Sequence, residues 1–259
     1  MDALGLSLLL LAGVFAGFIG GLLGVGGCSI MLPILVFVYG YSEAVAIGTT
    51  ITAVVLTALS GAIAHMRIGN VDKSTALIVG FAGVVGAIVG DIIFMLLAGS
   101  PAVLDLILGF AFLYVSLRMV VEGLKSVGKG AAEGDRVPGT PTIKTVIGLV
   151  TGLTSGVIGL GGGYLLVPLF IYVLGSPVKI AIGTSLLSFL PLALTSAAPK
   201  LFTGQADPIA AIALGLGAIV GAQIGARLVP RLPSRTLKLL FGVIFLAVST
   251  KFMVKGINL

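Results

Sequence analysis

The chain repeats one pattern of glycine, proline and small polar residues 135 positions further along, so that Gly24 in the first copy corresponds to Gly159 in the second. The first copy carries the pattern at Gly24, Gly26, Gly27, Pro33, Gly40, Gly48 and Thr49, and the second at Gly159, Gly161, Gly162, Pro168, Gly175, Gly183 and Thr184. The match runs on without a gap to Gly90 and Gly225. A match of this length predicts two homologous structural units in one chain.

The composition predicts that these units lie in a lipid bilayer. Of 259 residues, 58% are hydrophobic and only 9% are charged, which is more apolar surface than one soluble core can hide. Apolar blocks separated by short loops predict an all-α integral membrane protein. Its net charge of +6 comes from basic residues in short loops, where they orient membrane helices, so we expect no nucleic-acid partner.

The first apolar block of each repeat is too long for one crossing. Residues 4–39 would make a helix of ~54 Å, against a hydrocarbon thickness of ~30 Å. Glycines are dense within both blocks, at 20–27 and 156–163, and each costs a helix interior ~1 kcal/mol. We therefore expect each repeat to begin with a glycine-broken re-entrant segment, followed by three transmembrane helices.

Basic residues favour an inverted arrangement of the repeats over eight plain crossings. If each broken block enters the membrane and returns, eleven basic residues share one side: Arg67, Lys73, Lys125, Lys129, Arg136, Lys144, Lys179, Arg227, Arg231, Arg235 and Lys238. Only Lys200, Lys251 and Lys255 then lie opposite, which is the bias expected of cytoplasmic loops. This predicts a first repeat at 1–124, a cytoplasmic linker at 125–142 and a second repeat at 143–259, with both termini outside.

The broken segments are the predicted binding site. Pairs of interrupted helices in corresponding halves indicate a transporter's site, and helix N-termini attract anions. Glycine lets an anion approach the backbone, and hydroxyls add neutral donors. The predicted substrate-binding residues are Gly26, Gly27, Cys28, Ser29, Thr49, Thr50, Gly161, Gly162, Gly163, Thr184 and Ser185. Alternatively, the four hydroxyls in the 49–50 and 184–185 pairs bond their own helix backbone, and Cys28 is a small apolar filler.

Few titratable residues lie within the apolar blocks. Asp91, whose repeat counterpart is Ala226, either carries a coupling proton or pairs with a nearby cation. His65 is the only histidine and we expect it at the membrane interface; its counterpart is Lys200. Gln223 either lines the transport path or bonds a neighbouring helix.

The doubled motif resembles the sulfite exporter TauE/SafE family of small prokaryotic membrane proteins. The similarity rests on the Gly-x-Gly-Gly-x5-Pro pattern at 24–33 and 159–168, the Ala-x-Gly-Thr-Ser/Thr boxes at 46–50 and 181–185, and the Gly-x-x-Asp turns at 69–72 and 204–207. The resemblance implies transport, often export, of sulfite, sulfonates or other organic anions. Cys28, where the second repeat has Gly163, departs from the symmetry of the two half-sites.

The resulting hypothesis is a secondary transporter that exports small anions, in particular sulfur oxyanions such as sulfite or organosulfonates, across the plasma membrane of a prokaryote. The alternatives are an anion channel of the same fold and an uptake transporter for other organic anions. The sequence leaves open whether transport is coupled to protons or sodium, and whether the chain forms a homo-oligomer. A single cysteine and a single histidine supply neither a metal cluster nor a nucleophile–base pair, so we expect no cofactor, no metal and no enzyme activity.

Overall fold

The computed structural model describes residues 3–97, 101–125, 134–158 and 163–257. Within these ranges the chain is helical and contains no strand. The first repeat forms α1 (Ala3–Leu23), α2 (Cys28–Phe37), α3 (Glu43–Arg67), α4 (Lys73–Leu97) and α5 (Pro101–Lys125). The second repeat forms α6 (Pro141–Ile158), α7 (Gly163–Tyr172), α8 (Val178–Phe202), α9 (Pro208–Leu228), a 3-10 turn (Val229–Arg231) and α10 (Ser234–Ile257).

Six of the described helices are long and apolar enough to cross a membrane, namely α1, α3, α4, α8, α9 and α10. Helices α2 and α7 are apolar but have only 10 residues each. Large apolar side chains such as Phe81 and Leu96 of α4 are exposed on the outer surface, where lipid rather than water is their natural solvent. The predicted all-α, multi-pass membrane architecture is confirmed at this level.

Helix α2 turns back alongside α1. A Cβ atom on Gly20 would meet backbone atoms of Gly26 and Gly27, so the turn after α1 folds against the last part of that helix. At the other end, the Tyr39 hydroxyl donates a hydrogen bond of 3.2 Å to the carbonyl of Gly5. The segment from α1 to α2 therefore begins and ends on the same side of the molecule.

Two helix pairs pack backbone to backbone through stripes of glycine. A Cβ atom at any of these positions would collide with a carbonyl of the other helix, and small residues are what permit such close packing. In the α1–α9 pair, Gly13, Gly17 and Gly21 face Leu214, Ala218 and Ala222; in the equivalent α6–α4 pair, Gly148, Gly152 and Gly156 face Val79, Gly83 and Ala87. Residue numbers rise together along both members, so both pairs run parallel.

Helices α3 and α8 cross the centre of the molecule in opposite directions. Gly48, near the start of α3, lies against the carbonyl of Gln205, just beyond the end of α8. Gly183, near the start of α8, lies against the carbonyl of Asn70, just beyond the end of α3. These are the most buried of the spanning helices, so the contact between the repeats forms the core.

Helices α5 and α10 form a third pair that joins the two repeats. Gly109 faces Met253, whereas Gly123 faces Leu239, so these helices are antiparallel. The Ser249 hydroxyl ties them together by donating to the carbonyl of Gly109 at 2.8 Å.

Candidate substrate site

The first glycine break is a tight turn that ends α1 and begins α2. Gly24, Gly26 and Gly27 have φ angles of 77°, 73° and 83°, in the left-handed region that glycine adopts readily. The Gly27 carbonyl accepts hydrogen bonds from the N–H groups of Ile30 and Met31. Helix α2 therefore begins inside the protein, without a side-chain cap, and its N-terminus carries the positive end of the helix dipole.

The start of α7 lies against this turn. A Cβ atom on Gly163 would collide with the Gly24 carbonyl and with Cα of Val25. The Ser185 hydroxyl of α8 lies 2.7 Å from the carbonyl oxygens of both Gly24 and Ile182 and donates to one of them at a time. Of the predicted site residues, Gly161 and Gly162 lie outside the described residues.

Two buried hydroxyls among the predicted site residues have no hydrogen-bond partner in the described part of the chain. Cys28, the first residue of α2, donates its Sγ proton to the Val25 carbonyl at 3.1 Å. Ser29 and Thr50 are fully buried, and within the described part of the chain neither hydroxyl has a hydrogen-bond partner. Because buried polar groups are normally satisfied, such hydroxyls are candidates for contact with water or a ligand.

Thr49 and Thr184 instead accept hydrogen bonds from the opposite repeat. The backbone N–H of Asp207 donates to the Thr49 hydroxyl, and the N–H of Asp72 donates to the Thr184 hydroxyl, both at 2.9 Å. These two residues thus hold the turn after α8 (203–207) and the turn after α3 (68–72). Each hydroxyl is the acceptor in this contact, so the predicted ligand contacts of Thr49 and Thr184 stay predictions.

The turn after α3 is also bound to the linker. The Asp72 carboxylate accepts hydrogen bonds from the Thr75 hydroxyl at 2.7 Å and from the N–H of Val137 at 3.0 Å. Lys144 donates to Thr75 and to the Val137 carbonyl at 2.7 and 2.8 Å. Burial alone would raise the pKa of Asp72, but these hydrogen bonds and the charge of Lys144 hold it below its ordinary value. Asp72 is therefore ionised at neutral pH.

At the turn after α8, the equivalent aspartate, Asp207, is bound by a tyrosine rather than by the linker. The Tyr41 hydroxyl donates a 2.6 Å hydrogen bond to Asp207, whose other oxygen accepts from the N–H groups of Ile209 and Ala210 and so caps α9. Burial, reinforced by the hydrogen bond to Asp207, raises the pKa of Tyr41 to about 12. The hydrogen bonds to Asp207 lower the pKa of that carboxyl, although burial opposes them. At neutral pH the tyrosine is the donor and the carboxylate the acceptor.

Asp91 is paired with a lysine from the second repeat. Its Oδ1 accepts a hydrogen bond from Lys200 Nζ, and both side chains are almost fully buried. Lys200 also donates to the Gly156 carbonyl at 3.2 Å and lies 4.4 Å from the centre of the Phe94 ring. Of the two roles considered for Asp91, the structure shows the ion pair, and the coupling role remains a prediction.

Lys200 was not among the residues selected from the sequence, which counted it as a loop residue. It lies in the last turn of α8, with a relative exposure of 1%. The available signal was its repeat position, because it corresponds to His65, the only histidine of the chain.

His65, which the sequence predicted at the membrane interface, is fully buried within the protein. Its Nε2 lies 2.8 Å from the Gly21 carbonyl, and Gly21 is the repeat counterpart of Gly156. His65 and Lys200 therefore contact equivalent carbonyls, each in the last turns of the helix before a glycine break. Among the described residues, His65 Nδ1 has no hydrogen-bond partner.

The remaining polar candidate has a structural contact. Gln223 of α9 donates to the Ser60 carbonyl of α3 at 2.9 Å, which is the neighbouring-helix bond considered from the sequence. Within the described ranges, no three His, Cys, Asp or Glu side chains lie close enough together to hold a metal ion.

The fold and the buried polar groups define a class: a multi-pass α-helical membrane protein built from two repeats, with broken helices meeting in its interior. Comparison with known sequences agrees, because residues 9–252 match the family model described as sulfite exporter TauE/SafE. The chain belongs to this family, and the resemblance seen in its motifs is confirmed.

Three relatives described as probable membrane transporter proteins match this chain over nearly their whole length. A probable membrane transporter protein of Xylella fastidiosa (strain Temecula1) is 32% identical, over 92% of this chain and 91% of its own. The probable membrane transporter protein YunE of Bacillus subtilis is 24% identical, over 96% of this chain and 98% of its own. YdhB of the same species, also a probable membrane transporter protein, is 27% identical over 89% and 93%. No solved structure matches the chain significantly.

Proposed function

We propose that this membrane transporter family member is a secondary transporter that exports small anions, with sulfur oxyanions such as sulfite or organosulfonates as its substrates. The family description supports the substrate class, and the uncapped helix start at Cys28 supports a negatively charged ligand. The prokaryotic relatives support a place in the plasma membrane.

The two repeats are inverted relative to each other in this proposal. Three relationships support it: α3 and α8 run in opposite directions, α1 runs parallel to α9, and α6 runs parallel to α4. Since α4 returns antiparallel to α3 through the short turn at 68–72, α1 and α6 point in opposite directions. With the linker in the cytoplasm, as its basic residues favour, both termini lie outside.

The contact between the two glycine breaks is the observation that carries the proposed site. Gly163, at the start of α7, touches Gly24 and Val25, which lead into α2. Ser29 follows the first break directly in the chain, and its buried hydroxyl, like that of Thr50 on α3, has no hydrogen-bond partner among the described residues. Non-helical backbone at membrane depth is tolerated where it is buried in protein or lines a cavity, and transporters use it to bind ions.

Alternating access would follow from the two turns that close the ends of α3 and α8. Thr184 holds the turn at 68–72, and Thr49 holds the turn at 203–207. Opening one turn while the other stays closed would expose the site to one side at a time. A channel would require both to open together.

Transport by purified protein in liposomes tests the proposal. Liposomes loaded with unlabelled sulfite, thiosulfate, sulfate, sulfoacetate or a simple carboxylate are diluted into a trace of the radiolabelled anion, and its transient accumulation by counterflow is measured. With the membrane potential held at zero by equal potassium on both sides and valinomycin, a carrier accumulates label, whereas a channel only equilibrates it. Empty liposomes are the control, and failure of all these anions to exchange would refute the proposal.

A further inference from the structure

Lys200 is the cation most deeply enclosed by the described helices. Its ammonium group contacts an Asp91 oxygen, the Gly156 carbonyl and the face of the Phe94 ring, which come from α4 and α6. Gly156 is the third residue before the second glycine break. A charge at membrane depth costs several kcal/mol unless it is paired, and such residues generally mark a transport path. The position of Lys200 next to the break is therefore the first indication of a ligand site.

Two buried hydroxyls accompany this lysine. Ser196 lies one turn before Lys200 on α8, so the two share a helix face, and Ser155 directly precedes Gly156 on α6. Both serines are fully buried, and neither hydroxyl has a hydrogen-bond partner within the described ranges. The other carboxylate oxygen of Asp91, Oδ2, also has no hydrogen-bond partner within the described ranges. This neighbourhood holds more hydrogen-bonding capacity than the protein itself uses.

The equivalent place in the first repeat lacks these groups. Ser155, Ser196 and Lys200 correspond to Gly20, Gly61 and His65, and Asp91 corresponds to Ala226. The glycine stripes around both places are the same, but a Cβ atom on Gly20 would meet the backbone N of Gly27 at 2.3 Å, so the first repeat leaves no room for a side chain there. The polar groups are thus concentrated at one of two otherwise equivalent positions.

We propose that Lys200 binds the transported oxyanion, that the Ser155 and Ser196 hydroxyls donate hydrogen bonds to it, and that Asp91 is the counter-anion it displaces. This inference rests on the proposed function and locates the charge-recognising part of the site beside the second break. An oxyanion carries several acceptor oxygens on one centre, which suits one ammonium group and two hydroxyls.

The exchange of one anion for another would explain why Lys200 is paired with Asp91. Without a substrate, an isolated lysine inside the membrane would destabilise the fold, and Asp91 removes that penalty. When an oxyanion binds, it takes the place of the carboxylate as the partner of Lys200, so the ammonium group remains paired. No covalent bond forms or breaks, and the carboxylate moves away from the ammonium group.

A neutral double variant separates a binding site from a structural ion pair. Lys200→Met with Asp91→Asn removes both charges, so the fold does not retain a single unpaired charge. We expect this variant to be folded by size-exclusion chromatography, yet to show no sulfite counterflow and no sulfite binding by calorimetry. A purely structural pair predicts restored transport in the double variant, and that result would overturn the inference.

Two single substitutions supply further readouts. Ser196→Ala removes a hydroxyl without a protein partner, so we expect unchanged or higher thermal stability together with affinity for sulfite weakened about tenfold. Asp91→Asn leaves Lys200 without its counter-anion, so we expect tighter sulfite binding and a larger rise in melting temperature on adding sulfite than in the wild type. Unchanged affinity in Ser196→Ala, or weaker binding in Asp91→Asn, would contradict the inference.

Anion exchange by the wild-type protein distinguishes failure of the proposed function from failure of the role proposed for Lys200. If this protein exchanges none of the tested anions, the proposed function fails. If it exchanges them and the neutral double variant does so equally well, only the role of Lys200 fails.

Discussion

The backbone N–H of Asp72 donates a hydrogen bond to the hydroxyl of Thr184, 112 positions away in the chain. The equivalent bond in the other direction joins Asp207 to Thr49, also at 2.9 Å. Each repeat therefore closes a turn of the other through one threonine. Both bonds are present in the same structure, so both turns are closed at once.

Thr184 should be replaceable by serine but not by valine. Thr184→Val keeps the shape but leaves the buried N–H of Asp72 unsatisfied, at a cost of about 1–3 kcal/mol. We expect a clearly lower melting temperature for purified Thr184→Val and a value close to wild type for Thr184→Ser. Equal stability of the two variants would show that the hydrogen bond contributes nothing.

Asp207 should make the protein sensitive to acid. Its pKa in the folded protein is below its ordinary value of 3.8, so its stabilising effect is complete above that pH and is lost as the pH falls through the folded value. We expect Asp207→Asn to flatten the decline of melting temperature below about pH 4. Tyr41→Phe, which removes a donor to the carboxylate, should move the acid-induced decline to higher pH. Superimposable profiles for all three proteins would contradict this prediction.

Gly27 and Gly40 form a matched pair for testing the break. Both have positive φ, 83° and 67°, so alanine costs each ~1–2 kcal/mol in backbone strain. A Cβ atom on Gly27 would also press on the Ala16 carbonyl at 2.5 Å, whereas Gly40 has nothing within 4 Å. We expect Gly27→Ala to lose far more folded protein than Gly40→Ala, measured as the monodisperse fraction after detergent extraction. A similar yield of both would mean that the turn tolerates a side chain.

Equivalent positions in the two repeats test the inverted topology. Ile68 and Thr203 occupy the same place in their repeats, and both are exposed. In a Cys28→Ser background, single cysteines at these positions should react with a membrane-impermeant maleimide from opposite sides of the membrane. Labelling of both from one side would exclude inversion.

The architecture was predictable because it depends on features that sequence displays directly. The apolar composition predicted a membrane protein, and the density of glycine at 20–27 indicated where α1 ends. The observed turn at Gly24, Gly26 and Gly27 lies within that range. Helix α2 begins at Cys28, directly after that range.

The roles of individual polar residues were harder to predict, because they depend on partners from the other repeat. Nothing local in the sequence shows that Thr49 faces the N–H of Asp207, or that Lys200 reaches Asp91. Lys200 follows Pro199 at the end of an apolar block. A proline followed by a lysine at such a position is equally typical of a loop. Its burial is set by the packing of α4 and α6, and the repeat correspondence with His65 was the only sequence signal.

The parallel α1–α9 and α6–α4 pairs determine which parts of the molecule can move as units. Each pair consists of one helix from each repeat. Its glycines pack directly against carbonyl groups of the other helix, so neither helix can slide along the other without a steric clash. In the proposed transport cycle we therefore expect the moving bodies to be two mixed blocks rather than the two halves of the sequence, with the antiparallel crossing of α3 and α8 as the surface between them.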